Sequence, residues 1–117
     1  GRDDHRDVPG LIEQMELQIA TEVTNAGLQI QSSLRRIEAA TAARELAQQQ
    51  LDAEQSKFEV GASTNFFVVQ FQRDLADAQR AELQAILDYQ KARIEFDRAQ
   101  RTSLAQGGII IVTGGGN

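Results

Sequence analysis

A chain of 117 residues with no Cys, no Trp, one Pro and five Phe lacks the large side chains of a thick globular core and has neither a disulfide framework nor a thiolate metal site. Its net charge of −5 argues against the dense Lys/Arg surface that binds nucleic acid. No apolar run approaches the roughly 20 residues that cross a bilayer as a helix. Apolar content is 41%, with Ala prominent, which suits a thin helix-on-helix seam.

Residues 1–8 are charged, read as a disordered or added tail. The polar start is not a signal peptide, so the chain is read as a piece of a longer protein. A first helix is predicted over about 9–59. Asp7 is its candidate cap, and Pro9 falls in its first turn. Lys57 in the last turn complements the helix dipole. Gly61 fits the left-handed position that ends a helix. Residues 60–65, Val60-Gly61-Ala62-Ser63-Thr64-Asn65, form the one strong interior turn signal.

Ser63 or Thr64 can cap a second helix over about 66–105, and Gly107 can end it. Residues 107–117 are a Gly-rich tail around Ile109-Ile110-Ile111-Val112, a run that reads as a strand, a β-prone contact or added sequence. Both long segments are rich in Ala, Leu, Gln, Glu and Arg, strong helix formers. Arg73/Asp77, Lys91/Glu95 and Asp97/Arg101 are four residues apart and are expected to pair on the helix surface. Helices of 40–50 residues would run about 60–75 Å, long enough to indicate coiled coil.

The apolar spacing sets the register. One stripe on the first helix reads Ile19, Val23, Ala26, Ile30, Ser33, Ile37, Ala40, Arg44, Ala47, Leu51, Glu54, Phe58. Its counterpart on the second reads Val68, Phe71, Leu75, Ala78, Glu82, Ala85, Tyr89, Ala92, Phe96, Ala99, Ser103. Folding the chain at residue 63 brings members equally far from the turn, within one residue, into one layer. Leu51 meets Leu75, Ala47 meets Ala78, Ile37 meets Tyr89 and Ile30 meets Phe96. Large and small residues share layers, as a close seam needs. The fold class that follows is all-α, a long antiparallel two-helix coiled-coil hairpin.

The same fold sets Arg44 opposite Glu82, and these two are expected to pair, since a pair costs less in a seam than either charge alone. The alternative is that both side chains reach out to water. Glu54 falls opposite Phe71 and is expected to reach solvent. A second, weaker stripe, Ala39, Ala43, Leu46, Ala53 and Val60 with Val69, Ala76, Leu83, Leu87 and Ile94, implies further neighbours. A stave in a larger assembly and a dimeric four-helix bundle account for it equally well.

Nothing in the pattern supports catalysis. His5, the sole His, lies among Asp3, Asp4 and Asp7 in the tail, better read as solvated than as a metal site. Ser32, Ser33, Ser56, Ser63 and Ser103 have no His base nearby. Gly114-Gly115-Gly116 precedes neither Lys nor a helix, so it is no phosphate loop. The chain is expected to be no enzyme and to hold no cofactor or metal. Phe58, Phe66, Phe67 and Phe71 cluster at the turn, first as packing for the hairpin end and second as exposed docking or pore residues.

The stretch Lys57-Phe58-Glu59-Val60-Gly61-Ala62-Ser63-Thr64-Asn65-Phe66, followed by Gln72-Arg73-Asp74-Leu75-Ala76-Asp77-Ala78, resembles the TolC-like outer-membrane efflux protein family. There a basic residue and an aromatic precede a Gly at the periplasmic helix turn, and a Gln-Arg-x-Leu-Ala-x-Ala type run follows. Ile19 to Ala26, Arg36 to Ala40, Ala42 to Ala47, Asp88 to Ala92 and Phe96 to Ala99 continue the likeness over about residues 12–105.

The resemblance implies a trimeric channel whose helical barrel lies in the periplasm, built from hairpins such as this one, with a β-barrel in the outer membrane of a Gram-negative bacterium. It implies an inner-membrane pump and a periplasmic adaptor as partners, and contact with membrane only through other parts of the parent protein. Phe58, Val60, Gly61, Ala62, Ser63 and Thr64 would be the adaptor-docking tip. Phe67 and Gln70 would be pore-proximal, at positions where family members often carry Asp, so an acidic selectivity ring is not expected. Two rival readings are the hairpin of the adaptor itself, which normally sits between lipoyl-like β halves, and a cytosolic helical interaction module.

Overall fold

The computed structural model describes the backbone of residues 2–114 and the side chains of residues 9–105. It is a two-helix hairpin: α1 spans Arg2–Glu59 and α2 spans Asn65–Gly114. No strand occurs among the described residues. Both helices run further at their outer ends than the breakers in the sequence suggest. Residues 2–8, read as a tail, are helical, and so are residues 107–114 with the Ile109–Val112 run. A nucleated helix gains a hydrogen bond for each residue it adds, so a single Pro or a Gly pair need not stop it. Pro9 accordingly lies inside α1, where it donates no amide to the ladder. The side chains of Asp3, Asp4, His5 and Asp7 lie outside the described residues.

The hairpin comprises two units. Ser32–Gln90 holds the turn and the helix halves flanking it; the other joins α1 up to Gln31 with α2 from Lys91. In the turn-proximal unit, Ala47, Leu51, Val68 and Ala85 are buried, and so is Ser33, at 3% exposure. Ile37, Ala40, Arg44, Glu54, Phe71, Leu75, Ala78, Glu82 and Tyr89 are half-buried. In the other unit Ala92 is buried, and Ile19, Val23, Ala26, Ile30, Phe96, Ala99 and Ser103 are half-buried. Every member of both predicted stripes is therefore shielded except Phe58. Among the described residues no side chain is sealed completely, which is what one helix-on-helix seam provides.

Helix surfaces carry bonds that the charge pattern does not reveal. Gln48 donates to Asp52 at 2.9 Å, Gln70 to Asp74 at 3.2 Å and Gln84 to Asp88 at 2.9 Å. Each spans four residues, the spacing at which helix side chains meet. The expected ion pairs do not form: Asp77 approaches Arg80 at 3.5 Å rather than Arg73. Lys91/Glu95 and Asp97/Arg101 stay beyond 4 Å. Exposed pairs gain little over water, so long side chains settle elsewhere at small cost. No described helix is long and apolar enough to cross a membrane.

Gly27 sits in the interior of α1, and a Cβ added there would lie 3.7 Å from the Phe96 ring, an ordinary contact. Glycine inside a helix costs about 0.8–1 kcal/mol relative to alanine. Gly27→Ala is therefore expected to stabilise the chain by about 0.5–1 kcal/mol, read as a rise in the urea midpoint with an unchanged slope.

Candidate functional site

The turn is built from backbone first. Gly61 adopts φ of 77°, the one left-handed residue described. Its amide donates to the Phe58 carbonyl at 3.1 Å, and the Ala62 amide donates to the Lys57 carbonyl at 2.8 Å. These two bonds close the end of α1 as a Schellman motif. The start of α2 is set by Thr64, whose carbonyl accepts from the amides of Phe67 at 3.1 Å and Val68 at 3.2 Å. Of the two candidate caps, Thr64 thus holds the capping position. Ser63 turns the other way and donates its hydroxyl to the Glu54 carboxylate.

This corrects the expectation for Glu54. Its side chain is only 14% exposed and does not reach out to water. Lys57 Nζ lies 3.7 Å from its second oxygen. The partner was missed because it belongs to the turn rather than to the facing stripe; a seam carboxylate within reach of a turn hydroxyl is the signal that could have found it.

The aromatic cluster is also different from its first reading. Val60 is 79% exposed and Phe66 71% exposed, and Phe58 and Phe67 are exposed too. Phe66 and Phe67 meet edge to face with ring centres 5.6 Å apart. Only Phe71 is half-buried. The reason is position: Phe66 and Phe67 precede Val68, where the seam begins on α2, and Phe58 is the last residue but one of α1. Gly61, Ala62 and Thr64 are exposed, and Ser63 is half-buried. The end of the hairpin therefore presents an apolar surface to its surroundings. Gln70 is exposed and occupied by its bond to Asp74.

The seam ion pair sits away from the turn. Arg44 Nε donates to Glu82 Oε2 at 2.8 Å, and Arg44 also approaches Glu45 at 3.9 Å. The hydrogen bond from Arg44 holds the Glu82 carboxyl below the usual glutamate range, helped by Thr41 and opposed by partial burial. The same bond raises Arg44 above its ordinary value. No side-chain polar atom buried from solvent is left unpartnered among the described residues. No group of three or more His, Cys, Asp or Glu is placed to hold a metal there. The groove lined by Val23, Gln100, Ser103 and Leu104 contains no ionisable group among them.

Because Glu82 titrates lower in the folded chain than in the unfolded one, its contribution to stability is full above the ordinary glutamate range. That contribution is lost as pH falls through the depressed value. Thermal melts against pH are expected to show this acid limb in the native chain and a shallower one in Glu82→Gln. Arg44→Ala should move the Glu82 carboxyl carbon titration back up in an NMR series.

Comparison with known proteins bears on this arrangement. Neither the curated proteins nor the solved structures yield a match. A family model described as outer membrane efflux protein matches residues 11–100, a span that takes in the seam of both helices, the ion pair and the whole turn. With most of its length matched, the chain belongs to the outer membrane efflux protein family, whose members are components of transport channels and not enzymes.

Proposed function

We propose that this hairpin is a periplasmic segment of an outer membrane efflux channel, a stave in the wall of the conduit whose turn docks on an adaptor protein. The observation that carries the reading is the exposed apolar turn around Gly61, with Val60, Phe66 and Phe67 all open to solvent. It lies inside the span matched by the efflux family. An apolar end on an otherwise charged chain is poorly served by water and well served by a protein partner.

The wall role is supported by the second stripe. Leu46, Leu83, Leu87 and Ile94 are exposed, as are Ala39, Ala43 and Ala53; Val69 and Ala76 are half-buried. In a trimeric channel these faces would meet neighbouring hairpins, and the parent protein would work with an inner-membrane pump. The mechanism is passive: packed helices bound the path, and neighbouring hairpins loosen to open the end. Phe67 and Gln70 would stand near the pore, where neither brings charge.

Docking is tested by the affinity of the parent channel for the adaptor's helical hairpin. Gly61→Trp removes the residue that tolerates the left-handed turn and adds bulk where a partner would sit. A loss of roughly tenfold or more, about 1.4 kcal/mol, is expected; unchanged affinity would sink the tip assignment. The exposed second face predicts that the isolated chain sediments as an oligomer at high concentration. A monomer across the whole range would count against the wall role.

A further inference from the structure

The turn is tied down at three places. The Schellman bonds fasten Gly61 and Ala62 to the last turn of α1, and the Thr64 carbonyl fastens the start of α2. Both are backbone bonds of a helix with its own terminus. The third is the bond from the Ser63 hydroxyl to Glu54. Among the described residues it is the one side-chain hydrogen bond that joins the turn to the seam face of α1.

Glu54 holds the stripe position that follows Leu51, which is 6% exposed. A carboxylate at such a position forfeits part of its hydration, and packing alone would favour an apolar residue there. What the carboxylate gains is two partners, Ser63 on one oxygen and Lys57 at 3.7 Å on the other. It touches neither Val60 nor Phe66 by any bond described, yet it fixes the segment lying between them.

We propose that Glu54 is the positioning residue of the tip: through Ser63 it sets how Val60, Gly61 and Ala62 are presented to a docking partner. The inference rests on the docking role proposed for the turn. It separates two properties that usually move together. Replacing Glu54 by Leu puts an apolar side chain into the seam and leaves helix stability unchanged or raised. The same change removes the acceptor of Ser63 and loosens the turn.

The experiment measures amide hydrogen exchange in the full chain and the affinity of the parent channel for the adaptor's helical hairpin. In Glu54→Leu and in Ser63→Ala, exchange at Gly61 and Ala62, whose amides close the end of α1, should rise roughly tenfold, as expected for loss of a hydrogen bond to a charged group. Melting temperature should not fall in Glu54→Leu, and affinity for the adaptor hairpin should fall in both variants. Glu54→Gln, which keeps an acceptor for the hydroxyl, and Ser63→Thr, which keeps the donor, should restore slow exchange and binding. Unchanged exchange in both disruptive variants overturns the inference, and so does a loosened turn with undiminished binding. Failure of the docking role itself is told apart by Gly61→Trp, which would then bind as tightly as the native channel.

Discussion

The two helices can share a seam only because the backbone reverses at Gly61, where φ is 77°. For an L-residue that conformation costs about 1–2 kcal/mol, and glycine alone adopts it freely. The reversal does more than turn the chain. It decides which residue of α2 stands opposite each residue of α1, since layers are counted outward from it. The Schellman bonds at one end and the Thr64 carbonyl at the other hold the intervening residues to a single length. From that length follow the meeting of Arg44 with Glu82 and the burial of Leu51 and Val68.

The charged layer is the clearest sign that register is specified rather than merely allowed. Alanine-rich seams are permissive, because small residues slide past one another with little penalty. Arg44 and Glu82 are not permissive. Displaced by one layer, each would face a small or apolar residue and lose its 2.8 Å contact. Removing one member of the pair leaves the other half-shielded without its partner. The layer thus disfavours slipped hairpins more than it favours the correct one, and it does so in the half of the molecule that bears the turn.

Much of this was legible from residue spacing. The two stripes, the reversal near Ser63 and the approach of Arg44 to Glu82 all follow from a heptad rule applied about one point. The differences have separate causes. Glu54 found its partner in the turn, where heptad spacing does not apply, so a reading by facing layers left it without one. Phe58, Phe66 and Phe67 look like core by composition and are exposed because of their place relative to Val68. Gln48, Gln70 and Gln84 bond the Asp four residues on, and Asp77 turns to Arg80 rather than Arg73. In water these options lie too close in energy for sequence to rank them. Both helices run past their outer breakers, because continuing an existing ladder gains more than a single Pro or a Gly pair costs. Of the candidate site, the turn's backbone was readable from Gly61 alone, while the exposure of its aromatic residues was not.

Counting layers outward from one fixed bend has a consequence for how such an arm can change length. Seven residues gained on the descending side would carry Arg44 one heptad away, opposite Tyr89 instead of Glu82. The mismatch disappears only when the ascending side gains the same seven. Insertions and deletions in a molecule of this kind should therefore arise as mirrored pairs, so that the reach of the arm grows or shrinks in steps of two helical turns while its tip stays the same.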